Sequence, residues 1–493
     1  MSDHLPASII DWPARGGPER VARYAHGVER VSLRATDAGI GVRTRTMGAT
    51  KELAAYVVSA QLDTIPQDVR HEAHRALLNY VGCAVGGSRE PAVDIALRAL
   101  TPYSGKPIAR VLGRPEQLDP LHAALMNGIS SHVHDYDDTT PKNYIHPTAP
   151  VASALLAYAS TQPVAGADFL PAFILGFEAE SRVGNAVYPA HYDVGWHITG
   201  TAGVFGAAAA IGRLLGLPVQ NMMWALGLAA TQAAGLREMF GCMGKAFHPG
   251  RSAQNGYVAA LLAREGFTGS DTGIEGPRGF AAVQAAKSDL SKVTSRLGVD
   301  FDLRANTYKP FPCGIVIHPT IDACIQIARS HSLKPRQIAE VRLQVAPLVL
   351  DLCNKKNISV GLEGKFSVYH AAAIGLVRGK AGLAEFSDAT VNDPDVKAVR
   401  ETKVKATADP AIAEDAVHVE VELTSGDRIH KQVDHAIGNL GRPMTDRELE
   451  EKFLDQAAAV LPPSQVRELI ALCWKAGELG DMRRLIEVAI PRA

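Results

Sequence analysis

The sequence predicts a mainly α protein in which a large all-helical domain is joined to a smaller α+β domain. Three observations lead there. From Thr50 to about residue 295, apolar residues recur three and four apart, broken only by Gly and Pro. Near residue 300 the pattern changes: Val341, Leu343 and Val345 alternate with polar neighbours, as do Val417, Val419, Val421 and Leu423. After about residue 440 the helical period returns. The expected boundaries are 47–304 together with 441–493 for the helical domain, and 305–440 for the α+β domain.

Residues 1–46 read as an arm, disordered or loosely docked, with arginines at 15, 20, 23, 30, 34, 43 and 45 and little periodicity. The arm has no apolar signal-peptide core, and its acidic residues weaken a transit-peptide reading. Met47 stands immediately before the first periodic segment, which suggests a translation start there.

Helices are then expected at 69–85, 121–134, 152–161, 169–187 and 222–239. Gly200, Gly203 and Gly206 recur inside an Ala-rich segment, removing side chains from one stripe, so that helix should be central and buried. In the smaller domain a helix is expected at 366–378, between the two alternating strands. Ser425, Gly426 and Asp427 mark a hairpin turn leading to Ile429. Thr445 with Glu448 three positions later is a capping box, and the helices it opens should rejoin the first domain.

Composition narrows the function classes. Hydrophobic residues make up 46% of the 493, ample for folded cores. The 51 Lys and Arg nearly cancel the 52 Asp and Glu, so no global field favours nucleic acid or an anionic membrane. The six cysteines are scattered without a C-x-x-C, which fits a reduced, cytoplasmic compartment. The run from 200 to 216 is interrupted by Arg213 and is less apolar than a spanning helix requires.

Four constellations carry chemistry. Residues 131–150 pack three histidines, three aspartates, two tyrosines and a lysine into one short stretch, with prolines at 141, 147 and 150. On helical spacing His132, Asp135 and Thr139 share a face, and His146 follows in a proline-bounded loop. A carboxylate, a hydroxyl and an imidazole together can move protons and hold a polar substrate. His197 is expected at a helix N-terminus, where exposed amides favour anions. Lys245, His248 and Arg251 lie in a Gly-flanked turn before an Ala-rich helix, suited to binding carboxylate or phosphate. Lys309 precedes a proline at the expected domain junction and is held extended, while Cys313 reads as a packing residue and His318 as a helix cap. No metal site is expected: His132 and His134 lack the spacing of H-E-x-x-H, and no dinucleotide fingerprint or P-loop is present.

Taken in order, HDYDDT with its following His-Pro, WHITGT, GKAFHPGRSAQNG, KPFPCG with HPTIDA, and GKFSVYHAAA resemble the MmgE/PrpD family. That family includes 2-methylcitrate dehydratase, cis-aconitate decarboxylase and iminodisuccinate epimerase. The resemblance implies a helical domain with an α+β lid, an active site between them, a homodimer, and no metal or organic cofactor. It implies a hydro-lyase, a dehydratase or hydratase acting on a 2-methylcitrate-like di- or tricarboxylate by proton abstraction beside a carboxylate. The alternative is an epimerase, isomerase or decarboxylase of a related polycarboxylate. Asp135, Thr139, His146 and His197 match the family's active-site segments, and Lys245 and Lys309 match the lysines that meet substrate carboxylates, with His248 and Arg251 beside them. Tyr369 or His370 is the expected acid for a departing hydroxyl. His132, His134, Asp137 and Asp138 are expected as supports. Two positions depart from the pattern: Gly314 stands where cis-aconitate decarboxylases carry a histidine, and His370 where many relatives carry tyrosine.

Overall fold

A computed structural model describes residues 48–492; the arm expected at 1–46 and the start expected at Met47 lie outside them. The helix Ile198–Leu214 is the one the glycine stripe predicts to be central. Every residue from 198 to 212 is buried. Gly203 lies against Pro150, and Gly206 against Glu180 of the helix Gly166–Val187, so a side chain at either position would collide with its neighbour. The helices Thr148–Ala159, Val219–Ala230 and Gly244–Arg264 pack around the same element.

The remaining helices of this part include Ala49–Ser59, Gln67–Gly87 and Pro120–His132. Three expected helices end early. The one expected to reach 161 stops at Ala159, the one expected to reach 239 stops at Ala230, and the one expected to reach 134 stops at His132. In the second case tertiary pairing overrides periodicity: the His197 amide donates to the Gly235 carbonyl at 3.0 Å, and the Arg237 amide to the Gly195 carbonyl at 2.8 Å. Gly235 has φ 142°, outside helical backbone.

The α+β part is built on one four-stranded sheet ordered Val404–Ala408, Ile338–Val345, Val417–Leu423, Arg428–Val433. The first pair is parallel and the others antiparallel. The strand 404–408 was not legible as a strand, because a five-residue edge with one Val carries little alternation of its own. Its register aligns Val404 with Val341 and, on the far side, Val341 with Val421. That apolar face packs on the helices His318–His331 and Val368–Arg378.

One continuous apolar cluster runs from Leu53 through Phe205 and Ile321 to Val341 and Val419, so the sheet and the helical part share a core. The capping box forms as expected, with the Glu448 amide donating to Thr445 Oγ1 at 3.2 Å and the Thr445 amide to Glu448 Oε2 at 2.7 Å. The helix it opens, Asp446–Ala457, returns to pack on Gln67–Gly87. Among the described residues no helix is long and apolar enough to cross a membrane.

Candidate active site

The helix Pro120–His132 crosses Gly244–Arg264 at Gly128 and Gly250, where an added methyl on either residue would strike the other helix's backbone. This close approach sets the end of the first helix beside the start of the second. The chain then turns sharply at Asp135, which takes the left-handed φ of 52°. Residues Asp138–Thr139 pair antiparallel with Thr307–Tyr308, and that pairing returns Lys309 to Asp135. The expectation that His132, Asp135 and Thr139 share a helical face is therefore corrected. A turn and a two-residue strand gather them, because the helix has already ended at His132.

Both ammonium groups meet one oxygen: Lys245 Nζ lies 2.7 Å from Asp135 Oδ1, and Lys309 Nζ lies 2.6 Å from it. Burial would push the Asp135 carboxyl upward, but the two lysines outweigh it and hold the group well below the usual carboxylate range. Its Oδ2 is buried without a partner. Lys245 stands 5.0 Å from the ring centres of both Phe240 and Phe366, an aromatic clamp around its head. Burial lowers its pKa, partly offset by Asp135.

Three histidines face the same space. His132 Nδ1 lies 2.8 Å from Asp137 Oδ2. His146 Nδ1 lies 3.3 Å from Asp137 Oδ1 and 3.2 Å from Thr139 Oγ1, while its Nε2 is 3.9 Å from Asp135 Oδ1. Burial brings His146 down to about 3, against the opposing pull of Asp137, so the ring is neutral at ordinary pH. With Nδ1 donating to Asp137, the lone pair sits on Nε2 and faces Asp135. Asp137 itself resists the upward push of burial and stays far below the usual range through His132 and His146. His197 caps the helix Ile198–Leu214 as the sequence predicts, but its ring does not bond the helix amides. Its Nδ1 lies 2.8 Å from His248 Nδ1, and its Nε2 is buried without a partner. Burial, then the nearby His248 and Lys245, hold His197 well below its usual pKa.

Three further contacts fix the turn. Lys365 Nζ donates to the His134 carbonyl at 2.7 Å, Lys309 Nζ to the Asp135 carbonyl at 3.2 Å, and Lys452 Nζ to the Tyr136 carbonyl at 2.6 Å. Consecutive carbonyls thus each receive an ammonium from a different part of the chain. Lys365 also donates to the Pro312 carbonyl at 2.9 Å, tying the Asp135 turn to the segment that carries Lys309.

Asp135, Thr139, His146, His197, Lys245 and Lys309, all expected from sequence, line one cavity of about 30 Å³. His248 stands behind it, holding His197. Lys245, His248 and Arg251 lie in the first turns of the helix Gly244–Arg264 instead of in a turn before it. Arg251, six positions after Lys245, points elsewhere and donates to Gln254 Oε1 at 2.6 Å. Tyr369 and His370 do not reach the cavity either. The Tyr369 hydroxyl donates to Asn354 Oδ1 at 2.7 Å, and His370 Nε2 lies 3.0 Å from the Glu385 carbonyl. Phe366, two residues before the helix Val368–Arg378, takes the place expected of them. Phe240, Tyr144 and Tyr192 also line the cavity and had no sequence signal beyond being aromatic. Of the expected supports, His132 and Asp137 brace His146, whereas His134 lies 3.0 Å from Glu90 and Asp138 accepts from Asn306 at 2.7 Å. Cys313 is buried and burial pushes its thiol well up, as a packing residue requires.

His132, His146 and His197 present ring nitrogens within 4.8 Å of one another, as do His132 and His146 with Asp135 and Asp137. A cation there would compete for Asp135 with two ammonium groups already in place. That charge arrangement suits an anionic ligand better than a metal ion.

Residues 51–292 match the MmgE/PrpD N-terminal domain, and residues 311–476 match the MmgE/PrpD C-terminal domain. Cis-aconitate decarboxylase of Aspergillus terreus is 26% identical over 473 residues, covering 90% of this chain and 96% of that one. The Mus musculus cis-aconitate decarboxylase is 25% identical over 449 residues, covering 88% and 91%. The 2-methylcitrate dehydratase of Salmonella typhimurium is 23% identical over 442 residues, covering 83% and 90%.

Proposed function

The chain belongs to the MmgE/PrpD family, and from that premise we propose that it is a lyase of small polycarboxylates that removes a proton from the carbon beside a carboxylate and expels a hydroxyl. The observation that carries this reading is the pair of ammonium groups sharing one oxygen of Asp135, beside a neutral imidazole. Asp135 neutralises the lysines while the site is closed. A substrate carboxylate entering as the cavity widens replaces that contact, and the lysines then stabilise the negative charge that develops as the proton leaves.

His146 is the base in this reading. Its Nε2 lone pair faces the cavity, and Asp137 at Nδ1 fixes the tautomer and stabilises the imidazolium that forms. His197 lines the same cavity with an unpartnered Nε2; with its Nδ1 accepting from His248, it presents an Nε2–H that hydrogen-bonds the departing hydroxyl, which takes the proton held by the His146 imidazolium and leaves as water. Thr139 Oγ1 shares the His146 Nδ1 with Asp137 and helps to fix the ring.

A second reading, decarboxylation, draws support from the similarity to the two cis-aconitate decarboxylases. Gly314 in the cavity wall, where the family pattern leads one to expect a histidine, weighs against it. Proton NMR in heavy water with citrate, 2-methylcitrate, cis-aconitate and malate tests both. Deuterium at the carbon beside a carboxylate, together with a new alkene signal and its loss in His146→Asn, is the expected result. Release of CO2 selects the second reading. Equal exchange by the wild type and His146→Asn overturns the assignment of the base.

A further inference from the structure

We propose that the substrate of this site carries an uncharged, apolar substituent, and that a second cavity adjoining the carboxylate site receives it. The proposal rests on the lyase reading above. A cavity of about 480 Å³ lies next to the inner one, and Tyr144, Lys309, Ile315 and Val316 line both. The head of Lys309 is turned to Asp135, so its methylene stem and the aliphatic Ile315 and Val316 form the partition. Beyond it Ile437 and Leu440 carry the wall onward.

Charge selects what can enter. The outer cavity has Glu414 and Asp415 at its edge, and among the described residues that line it Lys309 is the single ammonium, already committed to Asp135. Both acids have partners: the Tyr144 hydroxyl donates to Glu414, and Asp415 Oδ2 lies 2.7 Å from His435 Nδ1. A further carboxylate placed there would face these acids without a counter-charge. Methylene groups meet no such penalty, and they gain from leaving water. Gly314 helps on the inner side, since it adds no side chain to the wall beside Ile315.

The test uses propane-1,2,3-tricarboxylate and its 2-methyl, 2-butyl and 2-hexyl homologues, which have neither a hydroxyl to lose nor a double bond, so binding is read without turnover. Titration calorimetry on the wild type is expected to show affinity rising about threefold to fourfold per methylene, at least a hundredfold for hexyl. Ile437→Trp, which fills the outer cavity alone, should remove the hexyl gain while leaving the parent acid within about twofold. Leu440→Trp on the exposed rim repeats the test without touching the core. If the parent binds, weakens in Lys245→Ala, and the hexyl homologue binds no tighter, the apolar subsite is overturned while the carboxylate site stands. A hexyl gain that survives both tryptophans also overturns it. Failure of every acid to bind overturns the carboxylate reading, and the subsite falls with it.

Discussion

Lys452 donates its ammonium to the backbone carbonyl of Tyr136 at 2.6 Å, across 316 positions of sequence. The same ammonium donates to Asn79 Oδ1 at 2.7 Å and lies 4.0 Å from the centre of the Tyr136 ring. The helix Asp446–Ala457 thereby grips the turn that holds Asp135. Methionine at 452 keeps the length and removes the donor, leaving a buried carbonyl and a buried amide oxygen unpartnered. Each such loss costs roughly 1–3 kcal/mol. Lys452→Met should lower the urea midpoint and cut kcat at least about tenfold, with KM changed little. Unchanged kcat in a folded variant would show that the grip does not position Asp135.

Burial brings both Lys365 and Lys452 down to about 8, from an ordinary 10.5. Between those values the unfolded chain keeps the proton and the folded chain releases it. Stability contributed by these groups therefore rises with pH across that window, by up to about 1.4 kcal/mol per pH unit for each lysine. Urea unfolding at pH 7.5, 8.5 and 9.5 should show the wild type gaining more per unit than Lys452→Met above pH 8, and matching its slope below. Parallel slopes throughout would mean that Lys452 keeps its proton in the fold.

His146 and Asp137 should fail as a unit. His146→Asn removes the proposed base, and Asp137→Asn removes the carboxylate that fixes its tautomer, so each is expected to cost about 10²–10⁴ in kcat. The double variant should be no worse than His146→Asn alone. Because burial holds His146 at about 3, kcat/KM should show no histidine inflection near 6.5 on the acid side. Additive losses in the double variant would separate the two residues.

Tyr369→Phe and Arg251→Ala should leave turnover within about threefold of wild type, since neither side chain reaches the cavity. Phe366→Ala removes one face of the clamp on Lys245, and a contact of this kind is worth about 0.5–2 kcal/mol. Its kcat/KM should fall up to about thirtyfold. Steady-state rates on the substrate identified by NMR decide it, and a large loss in Tyr369→Phe would restore that residue as the acid.

Much of the site was legible because its residues arrive in short local clusters. Asp135, Thr139 and His146 fall within one proline-bounded stretch, and Lys245 and Lys309 sit in segments rich in Gly and Pro. The same local logic placed Arg251 beside Lys245, although its side chain turns to Gln254, while Tyr369 and His370, expected from the family resemblance alone, turn to Asn354 and Glu385. Proximity in sequence to a site residue says nothing about which way a helix turns its side chains. Phe240, Phe366, Lys365 and Lys452 were missed for the opposite reason. An aromatic ring or a lysine has no distinguishing neighbours until the fold supplies a cation to enclose or a carbonyl to receive.

Sequence alone determined the elements whose signal is periodic or local: the central glycine-striped helix, the alternating strands at 338–345 and 417–423, and the Thr445 capping box. It also supplied most of the cavity's polar residues. Tertiary structure decided where helices stop and which groups face one another. The helix before the site ends at His132 and its chain is carried on by pairing with Thr307–Tyr308, a partner that no local pattern can announce. The two ammonium groups on one Asp135 oxygen are the outcome. Burial makes that contact strong and shifts the neighbouring imidazole, and burial belongs to the whole packed molecule instead of any stretch of it.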